Sequence, residues 1–223
     1  MQFLKQLDIN LLSRIYQWPF ERTLFVRALI FIGDGPFWLL VMLACALSGW
    51  LMGDVQLLNV ANLMMAGLMI GNFIFVPLKT NIKRRRPYAN PELQQKLGLE
   101  IINRDPGHGS KELESFPSGH AMWPTISVLL LSFQFGWPVL LILGWLIPAM
   151  MLLRPYLGVH YPSDTLVGFS IGLAIFAAVA SVSHIFQILG SELLISPWYI
   201  WIAYWVFVSV FIYLGIKSWL RRV

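Results

Sequence analysis

The segment that decides the fold is LLRPYLGVHYPSDTLVGFSIGLAIF, residues 152–176. It places an arginine, a histidine and an aspartate between two apolar runs. Ionisable side chains are costly at membrane depth, and those that occur there are usually functional. Because Pro162 disfavours a continuous helix, we expect His160 just before a helix and Asp164 in its first turn. The segment therefore predicts a membrane helix that begins at a functional site.

The composition of the whole chain is that of a membrane protein. Of its 223 residues, 57% are hydrophobic and 12% are charged, whereas a soluble domain carries about 25% charged residues. Apolar runs of about 20 residues, the length that crosses a bilayer, recur along the chain. The single cysteine, Cys45, lies inside one such run and cannot form an internal disulfide. We therefore predict a membrane protein and not a soluble protein with an unusually apolar core.

The apolar runs predict an all-α, polytopic transmembrane bundle with a single domain over residues 1–223. Residues 1–34 mix apolar and charged side chains, which favours an N-terminal helix lying in the membrane interface. The polar stretch 88–115 is long for an unstructured connection, which favours a functional loop over the site. The six predicted spans are 36–52, 57–78, 119–135, 139–153, 163–189 and 198–216.

The basic residues are confined to one face of the predicted bundle. The connections 53–56, 134–138 and 190–197 contain Asp54 and Glu192 but no lysine or arginine, so the 16 basic residues fall on or near the opposite face. Basic residues that flank apolar runs are typical of membrane proteins, and this argues against nucleic acid as a partner. The positive-inside rule would make this face cytoplasmic.

Three clusters of polar residues lie on this basic face, at 79–87, 116–120 and 154–164. Lysine, two arginines, a serine hydroxyl and the free N–H groups of a helix start suit a dianionic phosphate. Two histidines can divide the chemistry, since a neutral imidazole attacks phosphorus while a protonated one donates to the leaving oxygen. The clusters together predict phosphoryl transfer.

Each cluster alone has a simpler interpretation. The basic run 79–87 is also typical of a helix end anchored to lipid headgroups, and we interpret Lys83, Arg84 and Arg85 as such contacts. The Pro-Ser-Gly sequence is typical of an ordinary helix start, and a histidine such as His160 is often satisfied inside a bundle. Independent helix ends rarely combine all three spacings, which favours the functional interpretation.

Three further ionisable residues are interpreted separately. We expect His108 to be a solvated loop residue, His184 to pack within the bundle, and Asp34 to lie near the basic face beside an arginine of the clusters.

The three clusters resemble the signature of the type 2 phosphatidic acid phosphatase superfamily, which also includes vanadium haloperoxidases and bacterial class A acid phosphatases. That signature has a lysine six residues short of Arg-Pro, then Pro-Ser-Gly-His, then Ser-Arg followed by a histidine and an aspartate. The matching residues are Lys79 with Arg86-Pro87, then Pro117 to His120, then Arg154, His160 and Asp164. Leu153 stands where the family usually has serine, which removes a hydrogen bond but no catalytic group.

The resemblance implies a lipid phosphatase that needs no cofactor and no divalent metal. It implies that His160 is the nucleophile, that Asp164 orients it, and that His120 is the general acid and then the base. The residues implied to bind phosphate are Lys79, Arg86, Ser118, Gly119 and Arg154. The implied partners are a lipid phosphate and the bilayer, with no obligate protein partner.

Several alternatives stay open at this stage. The candidate substrates are undecaprenyl diphosphate, phosphatidylglycerol phosphate, phosphatidic acid and lipid A phosphates. A phosphotransferase that passes the phosphate to a second lipid would use the same residues, whereas a non-enzymatic lipid carrier would be expected to lack His120 or His160. The resemblance implies a bacterial cytoplasmic (inner) membrane. Many relatives have the site on its outer side, in disagreement with the charge map.

Overall fold

The computed structural model describes residues 2–19, 21, 23–105 and 112–220, and in these ranges the chain is helical with no strand longer than an isolated bridge. The helices are α1 (Gln2–Tyr16), α2 (Leu24–Gly33), α3 (Gly35–Met52), α4 (Val55–Asn81), α5 (Pro91–Leu97), α6 (Gly119–Phe135), α7 (Trp137–Leu143), α8 (Leu146–Tyr156), α9 (Pro162–Ser181), α10 (Ser183–Ile195) and α11 (Trp198–Leu220). A short 3₁₀ turn, Pro87–Ala89, precedes α5.

Five segments are long and apolar enough to cross a membrane. They are Gly35–Met52, Val55–Asn81, Trp137–Tyr156, Pro162–Ser181 and Trp198–Lys217. The remaining predicted span is α6, whose 17 residues reach about 25 Å at 1.5 Å per residue. The prediction of an all-α bundle with about six spans is confirmed, and the chain is a multi-pass membrane protein.

Two of the predicted spans are interrupted. The fourth consists of α7 and α8, separated at Gly144 and Trp145, where glycine weakens the helix. The fifth was predicted to run to residue 189 but ends at Ser181, and α10 continues to Ile195 after a break at Val182. Ser181, Ser183 and His184 flank the break, but three polar residues within a long apolar stretch do not by themselves predict the end of a span.

The contact between α6 and α9 is the most extensive in the bundle. A Cβ atom on Gly172 would lie 2.9 Å from the carbonyl oxygen of Met122 and 2.9 Å from Cβ of Thr125. Small residues let membrane helices approach closely without a hydrophobic driving force between them. This approach brings the beginning of α6 to the beginning of α9, where Ser118 N donates to the carbonyl of Asp164 at 3.1 Å.

The N-terminal region packs onto the same end of the bundle. Helix α1 contacts α8 and α9 and buries Leu12 and Tyr16. Part of the 88–115 stretch covers α1, because Leu93 and Ile101 are buried in the same apolar cluster. Residues 106–111, including His108, lie outside the described residues. His184 is exposed on α10, so the expectation that it packs inside the bundle is wrong.

We expect Gly172→Ala to destabilise the bundle by about 1–3 kcal/mol, because the added methyl meets a backbone carbonyl that cannot rotate away. The matched control is Gly190→Ala on α10, where an added Cβ would have nothing closer than 3.8 Å and alanine should strengthen the helix. Thermal unfolding in detergent measures both. An equal rise in melting temperature for the two variants would contradict the close α6–α9 contact.

Candidate active site

The predicted site residues come together where α4, α6, α8 and α9 begin or end. The ionisable site residues are all buried. Lys79, Arg86 and His120 are each 6% exposed, and Arg154, His160 and Asp164 are 0–2% exposed. Buried charges are retained only where other groups stabilise them, so their burial at one end of the bundle identifies a polar site within an apolar protein.

Lys79 and the start of α6 form one wall of the site. Lys79 Nζ donates to the carbonyl of Pro117 at 3.1 Å. Ser118 is fully buried, and its hydroxyl has no hydrogen-bond partner among the described residues. A Cβ on Gly119 would meet Phe75 and Trp123 at 3.0 Å, so glycine fits tightly here. The wall presents an unused hydroxyl and helix-start N–H groups, both of which suit an anion.

His160 lies in the turn before α9. Burial lowers the pKa of its imidazole well below the ordinary value near 6.5, and the nearby charges of Lys79, Arg86, Arg154 and His120 lower it further. Its Nδ1 is 3.7 Å from Asp164 Oδ2, beyond hydrogen-bond distance, and has no partner among the described residues. His160 is therefore a neutral imidazole whose Nδ1 faces a carboxylate.

Asp164 is held by three donors. Arg84 Nη1 donates to Oδ1 at 2.6 Å, and Oδ2 accepts from Ser115 Oγ at 2.5 Å and from Tyr161 N at 2.9 Å. The guanidinium of Arg84 also stacks on the Tyr161 ring, 3.9 Å from its centroid. The interpretation of Arg84 as a headgroup contact is wrong, because its side chain points inward and fixes Asp164.

Asp8 of α1 completes this network. Its carboxylate accepts from Arg84 Nη2 at 2.7 Å and from the backbone N and Oγ of Ser163 at 2.8 and 2.7 Å. Arg84 thus bridges two carboxylates that are 156 residues apart in the chain, Asp8 and Asp164. The N-terminal helix is part of the scaffold of the site.

Arg154 and Arg86 supply the other positive charges. Arg154 Nη1 donates to Asp105 at 2.8 Å, and the two side chains are 1% and 4% exposed. Arg154 Nε has no partner among the described residues. Burial lowers the pKa of Arg86 to about 10, with a further lowering by Arg154, so Arg86 stays charged at neutral pH. Asp105 therefore fixes Nη1 of Arg154, and the N–H group at Nε can donate to an anion.

His120 lies in the first turn of α6, and its Nε2 is 3.4 Å from Asp34 Oδ1. The two side chains are 8% and 14% exposed. Asp34 was expected beside an arginine, and the structure identifies His120 as a neighbour that the sequence did not indicate.

An apolar cavity of about 150 Å³ opens beside the site. Phe73 and Leu214 in its lining are 73% and 54% exposed, so it faces the outside of the bundle, where hydrocarbon would lie. Trp123, one helical turn after His120, forms part of its inner wall. The other lining residues are Gly35, Leu39, Leu68, Met69, Asn72, Phe211 and Gly215.

The partners that sequence reasoning missed are Asp8, Arg84, Asp105 and Ser115. None carries a local motif, since each contacts its partner across at least 49 residues of sequence. Among the described residues, no group of three histidine, cysteine, aspartate or glutamate side chains could hold a metal ion. Leu153 is buried among apolar residues.

Known proteins resemble this chain in sequence and in fold. The chain is 36% identical over 117 residues to the decaprenylphosphoryl-5-phosphoribose phosphatase of Mycobacterium tuberculosis, covering 52% of this chain and 58% of that protein. It is 32% identical over 103 residues to the Mycolicibacterium smegmatis protein of the same name, covering 46% and 49%. The chain thus spans about half the length of the curated relatives it matches.

Two solved structures have a similar fold. LpxE from Aquifex aeolicus matches with a TM-score of 0.60 and 20% identity, over 78% of this chain and 95% of that one. A transmembrane PAP2-type phosphatidylglycerolphosphate phosphatase from Bacillus subtilis matches with a TM-score of 0.61 and 22% identity, over 82% and 88%. The model of the PAP2 superfamily matches residues 57–188, more than half of the chain and all three clusters. The chain belongs to the PAP2 superfamily.

Proposed function

We propose that this chain hydrolyses a membrane lipid phosphate or diphosphate through a phosphohistidine at His160, without a metal ion. The observation that carries the proposal is the buried group of Lys79, Arg86 and Arg154 around a neutral histidine. Buried hydrogen-bonding groups normally have partners, and here Ser118 Oγ and Arg154 Nε have none among the described residues. A dianionic phosphate would supply both the missing charge and the missing acceptors.

In the first step, His160 attacks phosphorus. Because Nδ1 faces Asp164, the attacking atom is Nε2, and Asp164 stabilises the positive charge that develops on the ring. A P–N bond forms while the bond from phosphorus to the lipid oxygen breaks. His160 Nδ1 and Asp164 Oδ2 are 3.7 Å apart, and such catalytic contacts often tighten when the substrate binds.

His120 handles the proton in both steps. As an imidazolium it protonates the leaving lipid oxygen, so that the lipid departs as an alcohol, or as a monophosphate when the substrate is a diphosphate. As a neutral imidazole it then takes a proton from water, which attacks the phosphohistidine and breaks the P–N bond. Lys79, Arg86, Ser118, Gly119 and Arg154 stabilise the charge on the phosphoryl oxygens in both transition states.

A lipid substrate is supported by the apolar cavity beside His120. The leaving oxygen must face the general acid, so the hydrocarbon attached to it must leave the site on that side. The cavity supports such a path, since it is lined by Trp123, one helical turn along α6 from His120, and by Phe73 and Leu214, which are exposed on the outside of the bundle. The two mycobacterial relatives are named for a decaprenylphosphoryl compound, which favours a polyprenyl lipid among the candidates. We propose the cytoplasmic membrane of a bacterium as the location.

The main test measures phosphate release by the purified chain in detergent with EDTA present. The lipids are undecaprenyl diphosphate, phosphatidylglycerol phosphate, phosphatidic acid, a lipid A phosphate and a decaprenylphosphoryl-5-phosphoribose. We expect release from at least one lipid to persist in EDTA and to fall at least ~10³-fold in His160→Ala, as when a nucleophile is removed. His184→Ala, which changes an exposed histidine, should keep full activity.

Three outcomes would count against the proposal. Loss of activity in EDTA would contradict the metal-free step, and activity retained in His160→Ala would contradict the nucleophile. Phosphate transferred to an added acceptor lipid, with none released to water, would make the chain a phosphotransferase.

The pH dependence should carry the signature of the buried nucleophile. His160 attacks only when neutral, so activity is lost as pH falls through its folded pKa. Because burial and the neighbouring cations lower that pKa, we expect the acidic limb of kcat/KM to lie below pH ~6.5, the ordinary histidine value. His184→Ala should leave the limb unchanged. An acidic limb at or above the ordinary value would contradict the neutral-histidine interpretation.

The network around Asp164 generates a prediction for a residue outside the family signature. Arg84→Gln removes the donors to Asp8 and Asp164, so Asp164 and the neighbouring His160 should shift from their positions. We expect the rate of phosphate release to fall roughly 10–100-fold, as when a nucleophile is misplaced. Arg84→Lys keeps the charge but not the paired geometry and should be intermediate. The control is Arg14→Gln, an exposed arginine on α1. Phosphate release beside thermal unfolding separates misplacement from misfolding, and full activity in Arg84→Gln would refute the positioning role.

A further inference from the structure

We propose that Asp34 is a positioning residue for His120, which it orients and keeps charged for donation to the leaving lipid oxygen. This inference rests on the proposed function, since it concerns the proton that the reaction delivers. It assigns a role in the reaction to the junction between α2 and α3, which lies outside the part of the chain that the family model matches.

The first support is that the Asp34 side chain does not cap its own helix, α3. Asp34 occupies the N-cap of α3, where an aspartate usually accepts a hydrogen bond from the first turn of its own helix. Here it makes no side-chain cap bond, and Oδ1 lies 3.4 Å from His120 Nε2. Asp54 occupies the same position on α4 and does cap, accepting from Gln56 N at 2.7 Å and Leu57 N at 3.2 Å.

The second support is the close packing of the junction against His120. A Cβ on Gly33 would lie 2.5 Å from Cδ2 of the imidazole and 2.9 Å from the sulfur of Met150. Gly35 is less crowded, because its Cβ would lie 3.5 Å from Trp123 Nε1, an ordinary contact. Gly33 therefore lets the backbone next to Asp34 approach the imidazole directly.

The third support is the charge around the site. Lys79, Arg86 and Arg154 lie near His160, and His120 is a further charge neighbour of His160; neighbouring cations disfavour a protonated imidazole. Asp34, at the junction of α2 and α3, places a carboxylate beside His120. An adjacent negative charge favours the protonated imidazole.

The distance suits this role. A separation of 3.4 Å exceeds the usual N–H···O range of about 2.7–3.2 Å. Asp34 therefore stabilises the imidazolium mainly by charge.

The experiment compares two phosphate esters that differ in their need for an acid. Phosphatidic acid, or the lipid of the panel that is hydrolysed fastest, has a poor leaving group that must be protonated. p-Nitrophenyl phosphate has a leaving group that departs as an anion. The readout is kcat/KM, which reports the steps up to departure of the leaving group. A residue with a merely structural role would affect both esters alike.

We expect Asp34→Asn to lower kcat/KM for the lipid roughly 10–100-fold, which is part of the roughly 10²–10⁴-fold that general-acid catalysis contributes, and to change the value for p-nitrophenyl phosphate less than about threefold. Asp34→Glu retains the charge and should be intermediate on the lipid, which also keeps the test valid if the asparagine variant does not fold. Asp54→Asn makes the same chemical change at a capping aspartate and should leave both values unchanged. Equal losses on both esters, or no loss on the lipid, would overturn the inference.

Two histidine variants separate this inference from the proposed function. His120→Ala should show the same leaving-group pattern with a larger loss on the lipid, and His160→Ala should abolish release from both esters. If His160→Ala remains active, the phosphohistidine proposal fails whatever Asp34 does. If both histidine variants behave as expected and Asp34→Asn is not selective for the lipid, only the role of Asp34 fails.

Discussion

The ion pair between Arg84 and Asp164 is the interaction on which the rest of the site depends. The carboxylate is fully buried, while the guanidinium is 31% exposed and 2.6 Å away. A buried charge left without a partner is strongly destabilising, so the segment after α4 must lie against the first turn of α9. Asp8 adds α1 to the same guanidinium. His160, four residues before Asp164, takes its position from this arrangement.

The arginines near the site have distinct surroundings although they are chemically identical. Arg84 is bonded to two carboxylates and a serine hydroxyl, which makes it a structural group. Arg154 is bonded to Asp105 on one side only and keeps Nε directed elsewhere. Planar guanidinium groups suit this division, since one edge can be fixed by a carboxylate while another meets phosphate oxygens. The protein thus uses carboxylates to aim its cations as well as to balance them.

The sequence was most informative where function concentrates residue types at fixed spacings. The prediction that Lys79, His120, His160 and their neighbours share one face required only the order of spans and motifs, and the start of α6 at Gly119 was predicted to the residue. The break at Val182 was missed because Ser181, Ser183 and His184 are too few polar residues to end an apolar span. Hydrophobicity predicts which segments lie in the hydrocarbon of the membrane. Whether a helix continues through such a segment depends on its backbone hydrogen bonds.

The partners of the site residues were missed for a different reason. Asp105 and Ser115 lie outside the helices and Asp8 lies on α1, and their contacts are set by how these segments pack. Arg84 was visible as part of a basic run, but the run looks the same whether a side chain points to lipid headgroups or inward. The hydrogen bonds of Arg84 to Asp8 and Asp164, and its stacking on Tyr161, distinguish the two.

The bond between Asp8 and Ser163 has a consequence for how the protein assembles. Its two residues are 155 positions apart, so α1 emerges during synthesis long before the helix start that it will hold. Until α9 is in place, a carboxylate and an arginine at this end of the bundle lack the partners that later bury them. Completion of the site is therefore tied to a late stage of membrane insertion, and a nascent chain lacks the assembled site while its bundle is still open.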